Sequence, residues 1–450
     1  MTGSRAGGTR IPGIAGRNGV VVRKQQRWSG QSSGYRTYEV HQRERVGEST
    51  EKIRPVQLVS EQFRRDPYPL LSVLRENYPF YRDWLSNSYW VTRYDDVTSI
   101  FVDDANFTSL DRRDLYGLPD YGRDFGDRLE LLNVEESCTD RLAGPLAETL
   151  LTPLVRAGQG DIARQFAALL PLVLLCEMCA IPESQRAGFT GLYWRMQRGI
   201  SWQGGLQEDG RQAMRELESL LAPLVEARRA DPGEDYLSVL LGLATEGEPP
   251  GVTDVVATLL ERDHETLHGA LANLWFLLLR HPEALSVAAT EQRLMKLAYL
   301  EALRHSAPVL AAHRYARHEV ERFGKLIPRG GRLVCSAAAA NRDPAVFENP
   351  DAFVVDRRDL CQREPRGQYR ADGLATGIAF GLGAPSKYPA IPEDRPRSRY
   401  AFTRDAAVTA SMVLVDMIGR PELLDESIAL QSLSVGEMHT AWRLPVRIGR

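Results

Sequence analysis

From about residue 55 onward, apolar residues recur at helical spacing along most of the chain. Gln57 to Glu76 shows the pattern, interrupted by Asp66-Pro67. Residues 138–182 are rich in Leu and Ala with few breakers, and 207–229 repeat the helical pattern. The longest predicted helix covers 253–280, preceded by Pro249-Pro250-Gly251 and stopped by Pro282. At 1.5 Å per residue it would span about 42 Å. Its Leu259, Leu260, Leu271, Leu274, Trp275, Leu277 and Leu278 predict a long, buried central helix. Residues 285–306 predict two more helices, and 401–418 a last one. Period-two signals are few. Tyr89-Trp90-Val91-Thr92 predicts a strand followed by a turn at Asp95-Asp96, and short strands are predicted from 308 to 336. A Pro, Arg and Gly-rich coil fills 341–400, and no internal repeat is visible. The expected fold is mainly α with minor β, a single large domain over 55–450 behind a basic tail over 1–54.

Composition narrows the classes. The 450 residues are 43% hydrophobic, enough for a large core, which excludes wholesale disorder. A net charge of -3 argues against a general nucleic-acid partner. No run of 18 apolar residues occurs, so no membrane span is expected, and no apolar leader segment is evident at the N-terminus. Residues 1–36 carry seven Arg or Lys and no acid, the pattern of a solvated tail. Cysteines stand at 138, 176, 179, 335 and 361, an odd and scattered set that argues against a disulfide framework and for a cytoplasmic protein. Cys176 and Cys179 form a lone CxxC in an apolar run and read as core packing.

The chemistry-bearing motifs cluster in the second half. Glu301 and Arg304 stand at i and i+3 on one helical face. They are followed by Ala307-Pro308-Val309, Arg314-Tyr315-Ala316, Ile327-Pro328-Arg329-Gly330, Asn341-Arg342-Asp343-Pro344, Phe347-Glu348-Asn349-Pro350 and Asp356-Arg357. With His264-Glu265-Thr266 and His281-Pro282-Glu283 upstream, this series closely resembles the C-terminal half of the cytochrome P-450 superfamily. Asp66-Pro67-Tyr68-Pro69 and Trp90 to Val97 are similar to that family as well, so the resemblance covers roughly residues 60 to 420. It implies a structural triad of Glu301, Arg304 and Arg357, and an acid–alcohol pair at Glu265 and Thr266.

The chain departs from the family at the haem. Thiolate ligation is what drives O–O cleavage there, and the ligand segment resembles Phe-x-x-Gly-x-x-x-Cys-x-Gly. Here the segment Phe380 to Pro389 has Lys387 in the cysteine's place, and no cysteine follows Cys361. The family's propionate-holding residues map to Thr139, Ala143 and Pro385, which leaves Arg314 as the one cofactor-binding candidate. Arg262 and Asp263 stand where the family has Ala-Gly over the haem. A 100° wheel puts Arg262, Asp263, Thr266 and Leu267 on one face, where a charged network would fill the space. On this reading no cofactor is expected, and Asp263, Glu265, Thr266 and Lys387 are the catalytic candidates that remain.

His264-Glu265-Thr266-Leu267-His268 also matches a helical HExxH zinc motif, which makes His264 and His268 candidate ligands, but no third ligand is evident. Lys387 is either a reactive amine or a solvated loop lysine. Three functions follow from the resemblance. One is a haem-free partner protein of a biosynthetic enzyme, of the kind that activates glycosyltransferases or recruits oxygenases. A second is a small-molecule binder or isomerase using the vacated pocket. A third is an oxygenase with an unusual haem ligand.

Overall fold

The computed structural model describes residues 53–200, 204–243, 248–262, 265–360, 399–433 and 438–449. The predicted tail therefore lies almost wholly outside the described residues. A 3-10 turn, Pro55–Val59, leads into α1 (Glu61–Arg65) and α2 (Tyr68–Asn77). They part at Asp66-Pro67, because the residue before a proline is pushed out of the helical region. β1 (Phe80–Asp83) and β2 (Ser88–Val91) form a hairpin with Phe80 opposite Val91. Asp95 and Asp96 do not make the expected turn. They occupy the first turn of α3 (Tyr94–Phe101), where carboxylates complement the free N–H groups.

β3 (Phe107–Thr108) and α4 (Arg112–Leu115) precede the long α5 (Leu129–Ala157), which ends at Gly158 with φ 66°. β4 (Gln159–Asp161), a π-helical turn at Ala163–Ala167, α6 (Leu170–Met178), α7 (Glu183–Arg198), α8 (Gly204–Ala230) and α9 (Tyr236–Leu241) follow.

The expected continuous central helix is in fact two, α10 (Val252–Leu260) and α11 (Glu265–Arg280). Side chains from elsewhere build the break. Gln197 on α7 donates its Nε2 to the carbonyls of Leu259 (3.2 Å), Leu260 (3.2 Å) and Arg262 (2.9 Å). The Tyr193 hydroxyl donates to the Arg262 carbonyl at 3.1 Å. These bonds satisfy the orphan C=O groups at the end of α10. The Glu261 carboxylate turns the other way and accepts the N–H groups of Arg112 (2.9 Å) and Arg113 (3.1 Å) at the start of α4.

The remaining elements are α12 (Pro282–Ala288), α13 (Gln292–His305), β5 (Ala312–Ala316), β6 (Val320–Arg322), β7 (Lys325–Ile327), β8 (Arg332–Cys335), α14 (Ala337–Ala340), α15 (Arg399–Ile418), β9 (Glu422–Leu423) and β10 (Pro445–Arg447). The main sheet has the order β1-β2-β8-β5-β3, with β2 and β8 parallel. A second sheet runs β4-β10-β9, and β6 and β7 form a hairpin. Two apolar cores result. Leu271, Trp275 and Leu278 of α11 pack with α13, α15 and the main sheet. Val255, Val256 and Leu259 of α10 pack with α6 to α9. The helix break falls where one core gives way to the other. Trp275 ties α11 to α15 by donating its Nε1 to Ser411 Oγ at 3.2 Å.

Candidate functional site

Glu301 and Arg304 come one turn apart on α13, fully enclosed beneath the turns of residues 341–357. Arg304 donates Nε to Glu301 Oε2 and Nη2 to Oε1, each at 2.7 Å, in a bidentate pair. Its remaining donors reach the carbonyls of Asn341 (2.9 Å), Pro350 (2.7 Å) and Ala352 (3.0 Å). Arg357 approaches from the far side and gives Nε to Glu301 Oε1 at 3.1 Å, while the Val354 N–H donates to the same oxygen at 3.1 Å. The structure thus brings Glu301, Arg304 and Arg357 into one network in which every charge has several partners. Burial at this level is tolerated only with such partners.

Arg262 was expected in a network with Asp263, and Asp263 lies outside the described residues. The Arg262 guanidinium pairs with Glu135 on α5, donates to the Tyr236 hydroxyl at 2.8 Å and lies 4.7 Å over the Tyr236 ring. The break after Leu260 resets the helical phase, so a wheel drawn through 262 to 267 does not hold. Asp263, His264 and Lys387 lie outside the described residues. Glu265 and Thr266 open α11, and their side chains lie outside the described residues too. No group of three or more His, Cys, Asp or Glu fit to hold a metal occurs among the described residues. Glu135, Tyr193 and Gln197 are the residues that sequence reasoning missed. Their partners lie 62 to 127 positions away in the chain, and no local spacing marks them.

His268, the second candidate zinc ligand, has a different setting. It is 3% exposed on α11, with the Trp194 ring of α7 at 6.1 Å and the Trp442 ring edge-on at 5.8 Å. Burial lowers its pKa to about 4, so the imidazole is neutral. Its Nδ1 has no hydrogen-bond partner. The chain at 438–442 runs along this helix. A Cβ on Gly269 would meet Met438 and stand 2.6 Å from Pro308 Cβ, so only glycine admits this contact. Asn273 donates its Nδ2 to the carbonyls of Ser306 (2.8 Å) and His439 (3.0 Å).

Arg314, the cofactor-binding candidate, is buried on β5, 4.6 Å over the Phe101 ring, and donates Nη1 to the His313 carbonyl at 2.9 Å. Ala143 is buried on α5. The four described cysteines are free thiols. Burial raises all four, to about 11 for Cys176 and about 12 for Cys335. None of them is set up as a thiolate.

No protein-family model matches the chain. Curated relatives do. The polyketide biosynthesis cytochrome P450 PksS of Bacillus subtilis is 26% identical over 357 residues, covering 72% of this chain and 85% of that protein. The 6-deoxyerythronolide B hydroxylase of Saccharopolyspora erythraea is 30% identical over 279 residues, 61% of this chain and 65% of that protein. Among solved structures, P450BioI in complex with a hexadec-9Z-enoic acid-ligated acyl carrier protein superposes with a TM-score of 0.69 at 21% identity. The match covers 86% of this chain and all of that one.

These matches correct the expectation that no cofactor is present. The relatives and structural neighbours are cytochrome P450s, haem-binding enzymes, and haem is the cofactor this family carries. The described residues meet that group only in part. The Arg314 guanidinium rests on the Phe101 ring and the His313 carbonyl, and no described residue offers a thiolate. The segment Phe380 to Pro389 lies outside the described residues. With the Glu301–Arg304–Arg357 network, the element order and relatives matching across most of its length, the chain belongs to the cytochrome P450 superfamily.

Proposed function

We propose that this chain is a cytoplasmic auxiliary of a small-molecule biosynthetic pathway. It keeps the cytochrome P450 fold and binds a partner enzyme or carrier, and does not perform the family's thiolate-dependent oxygenation. One observation carries the reading: Lys387 stands where the resemblance expects the ligating cysteine, and no cysteine follows Cys361. Without a thiolate the iron lacks the electron donation that favours O–O cleavage. Haem remains the family's cofactor; the reading concerns the ligand of its iron. The helix break adds support, since Arg262 beside it is committed to Glu135 and Tyr236. A biosynthetic relative and a neighbour caught with an acyl carrier protein favour a pathway role with a protein partner. No described helix is long and apolar enough to cross a membrane.

A second reading, a monooxygenase with unusual haem ligation, is favoured by the hydroxylase among the relatives. One spectrum tests the missing thiolate on which the auxiliary reading rests. The protein is prepared with haem precursor supplied, reduced, and exposed to carbon monoxide. A thiolate-type shift of the Soret band overturns the auxiliary reading and restores oxygenation. A spectrum without that shift supports it, and then a gene deletion complemented by Lys387→Ala reports whether pathway output needs this lysine.

A further inference from the structure

We propose that the turn between β1 and β2, together with the basic residues that precede Ile53, docks this protein peripherally on an anionic lipid surface. The proposal goes beyond the reading above and does not depend on the ligand of the iron.

Trp84 and Leu85 stand at the tip of this hairpin, 61% and 50% exposed. The other described tryptophans are buried or half-buried. Bonds around the turn build this exposure. Asp83 is buried and turns its carboxylate into the loop. Its Oδ1 accepts the N–H groups of Leu85 (2.9 Å) and Ser86 (3.2 Å), and its Oδ2 accepts the Ser86 hydroxyl. Arg332 donates Nη2 to the Ser86 carbonyl at 2.7 Å. Asn87 closes the turn in the left-handed region, with φ 50°. Two adjacent apolar side chains are thus held out in water by a turn that is already ordered, so burying them against another apolar body costs little further ordering.

Charge names the occupant. Arg82 lies 4.5 Å over the Tyr89 ring and donates to the carbonyls of Asp83 (3.2 Å) and Ser88 (3.0 Å) and to the Asn87 side chain. None of these bonds goes to a carboxylate. Ser88 faces Arg332 in the parallel pair of β2 and β8, so the turn before β8, with the exposed Arg329, lies at the same end of the sheet. The chain before Ile53 joins beside this hairpin, because the Tyr81 hydroxyl donates to the Ile53 carbonyl at 3.3 Å. Tyr81 is three residues from Trp84, about 10 Å along the strand. Residues 1–36 carry seven Arg or Lys and no acid, and Arg23, Lys24, Arg27 and Trp28 fall close together in that stretch. With +7 there and -3 overall, the rest of the chain carries -10. Positive charge is segregated into the segment that enters beside the exposed turn. An apolar element plus a polybasic segment is the paired signal that holds a protein on an anionic bilayer, and a tryptophan suits the headgroup level.

The test is co-sedimentation of the full chain with vesicles of phosphatidylcholine alone and of phosphatidylcholine mixed equally with phosphatidylglycerol. The expected result is binding to the mixed vesicles only, released by high salt. Replacing Trp84→Ser and Leu85→Ser together should weaken it about tenfold, through the lost apolar burial. The melting temperature of that variant should not change, since neither side chain makes the bonds that hold the turn. Replacing Arg23→Gln, Lys24→Gln and Arg27→Gln together should weaken binding about a hundredfold. Equal binding to both kinds of vesicle, binding to neither, or a Trp84 and Leu85 variant that binds as well as the unaltered chain overturns the proposal. Single-stranded RNA or polyglutamate that binds as tightly as the mixed vesicles, with no loss in the Trp84 and Leu85 variant, assigns the charge to a nucleic acid or an acidic protein and also overturns it. Sedimentation is blind to the iron ligand, so this proposal and the reading tested by the carbon monoxide spectrum fail separately.

Discussion

Two buried polar regions touch the second half of this protein, and they are built on opposite principles. Around Glu301, both carboxylate oxygens are used, one by Arg304 alone and the other by Arg304, Arg357 and the Val354 N–H. The two arginines spend their other donors on carbonyls from 341 to 352 and, for Arg357, on the Asp359 carboxylate. Charge is buried there with all of its partners supplied by the protein. Along α11 and 438–442 the groups are neutral, and three of them have no partner. The first arrangement locks a loop to a helix. The second carries unmet hydrogen-bonding capacity, about 1–3 kcal/mol for each unpartnered atom. The lesson is that a buried charge demands its partners inside the fold, whereas neutral polar groups are buried with fewer.

The sharpest way to break this contrast is Glu301→Ala. It leaves Arg304 buried without a carboxylate and Arg357 with Asp359 alone, and should cost about 3–5 kcal/mol, read as the unfolding free energy in urea. A loss below about 1 kcal/mol would put the triad among weakly coupled surface pairs.

Acid probes the neutral region next. His268 and His439 both titrate near about 4 in the fold because burial disfavours their charged forms, against an ordinary value of 6.5. The unfolded chain takes up protons first, so their contribution is complete above pH 6.5 and is lost as the pH falls toward about 4. Each imidazole should remove about 1.4 kcal/mol of stability per pH unit across that window. Urea midpoints measured from pH 7 to 4 check this, and His268→Phe should flatten the slope by one proton's worth.

Gly269→Ala comes third. The added methyl collides with Met438 and Pro308 and should cost about 1–3 kcal/mol, seen as a lower melting temperature. An unchanged value would mean that the 438–442 segment is not held against α11. Lys387→Ala should do least, within about 0.5 kcal/mol, with pathway output retained. Loss of output in a variant that still folds would overturn the auxiliary reading.

Much of the architecture was legible in the chain because it depends on near neighbours. Asp66-Pro67 parts α1 from α2 by the steric rule for residues before proline. Glu301 and Arg304 share a helix face by simple spacing, and the family resemblance supplied Arg357. The central helix was misread for a physical reason. From 253 to 280 no proline or glycine pair interrupts the apolar pattern, and the break after Leu260 is made by Gln197 and Tyr193, more than 60 residues upstream. The expectation of no cofactor fell because a missing cysteine speaks to the ligand of the iron, whereas the family as a whole carries haem.

What the sequence determined by itself is the family, the helical class, the triad and the lysine in the ligand segment, all carried by residue identity and short spacing. Tertiary structure alone decided that Arg262 answers to Glu135 and that Trp194 and Trp442 close on His268. It alone decided that three buried atoms along one seam lack partners. The reason is that a hydrogen-bond partner is a property of position in space. A residue's type sets what it can donate or accept, and only the packed fold says whether anything stands there to answer.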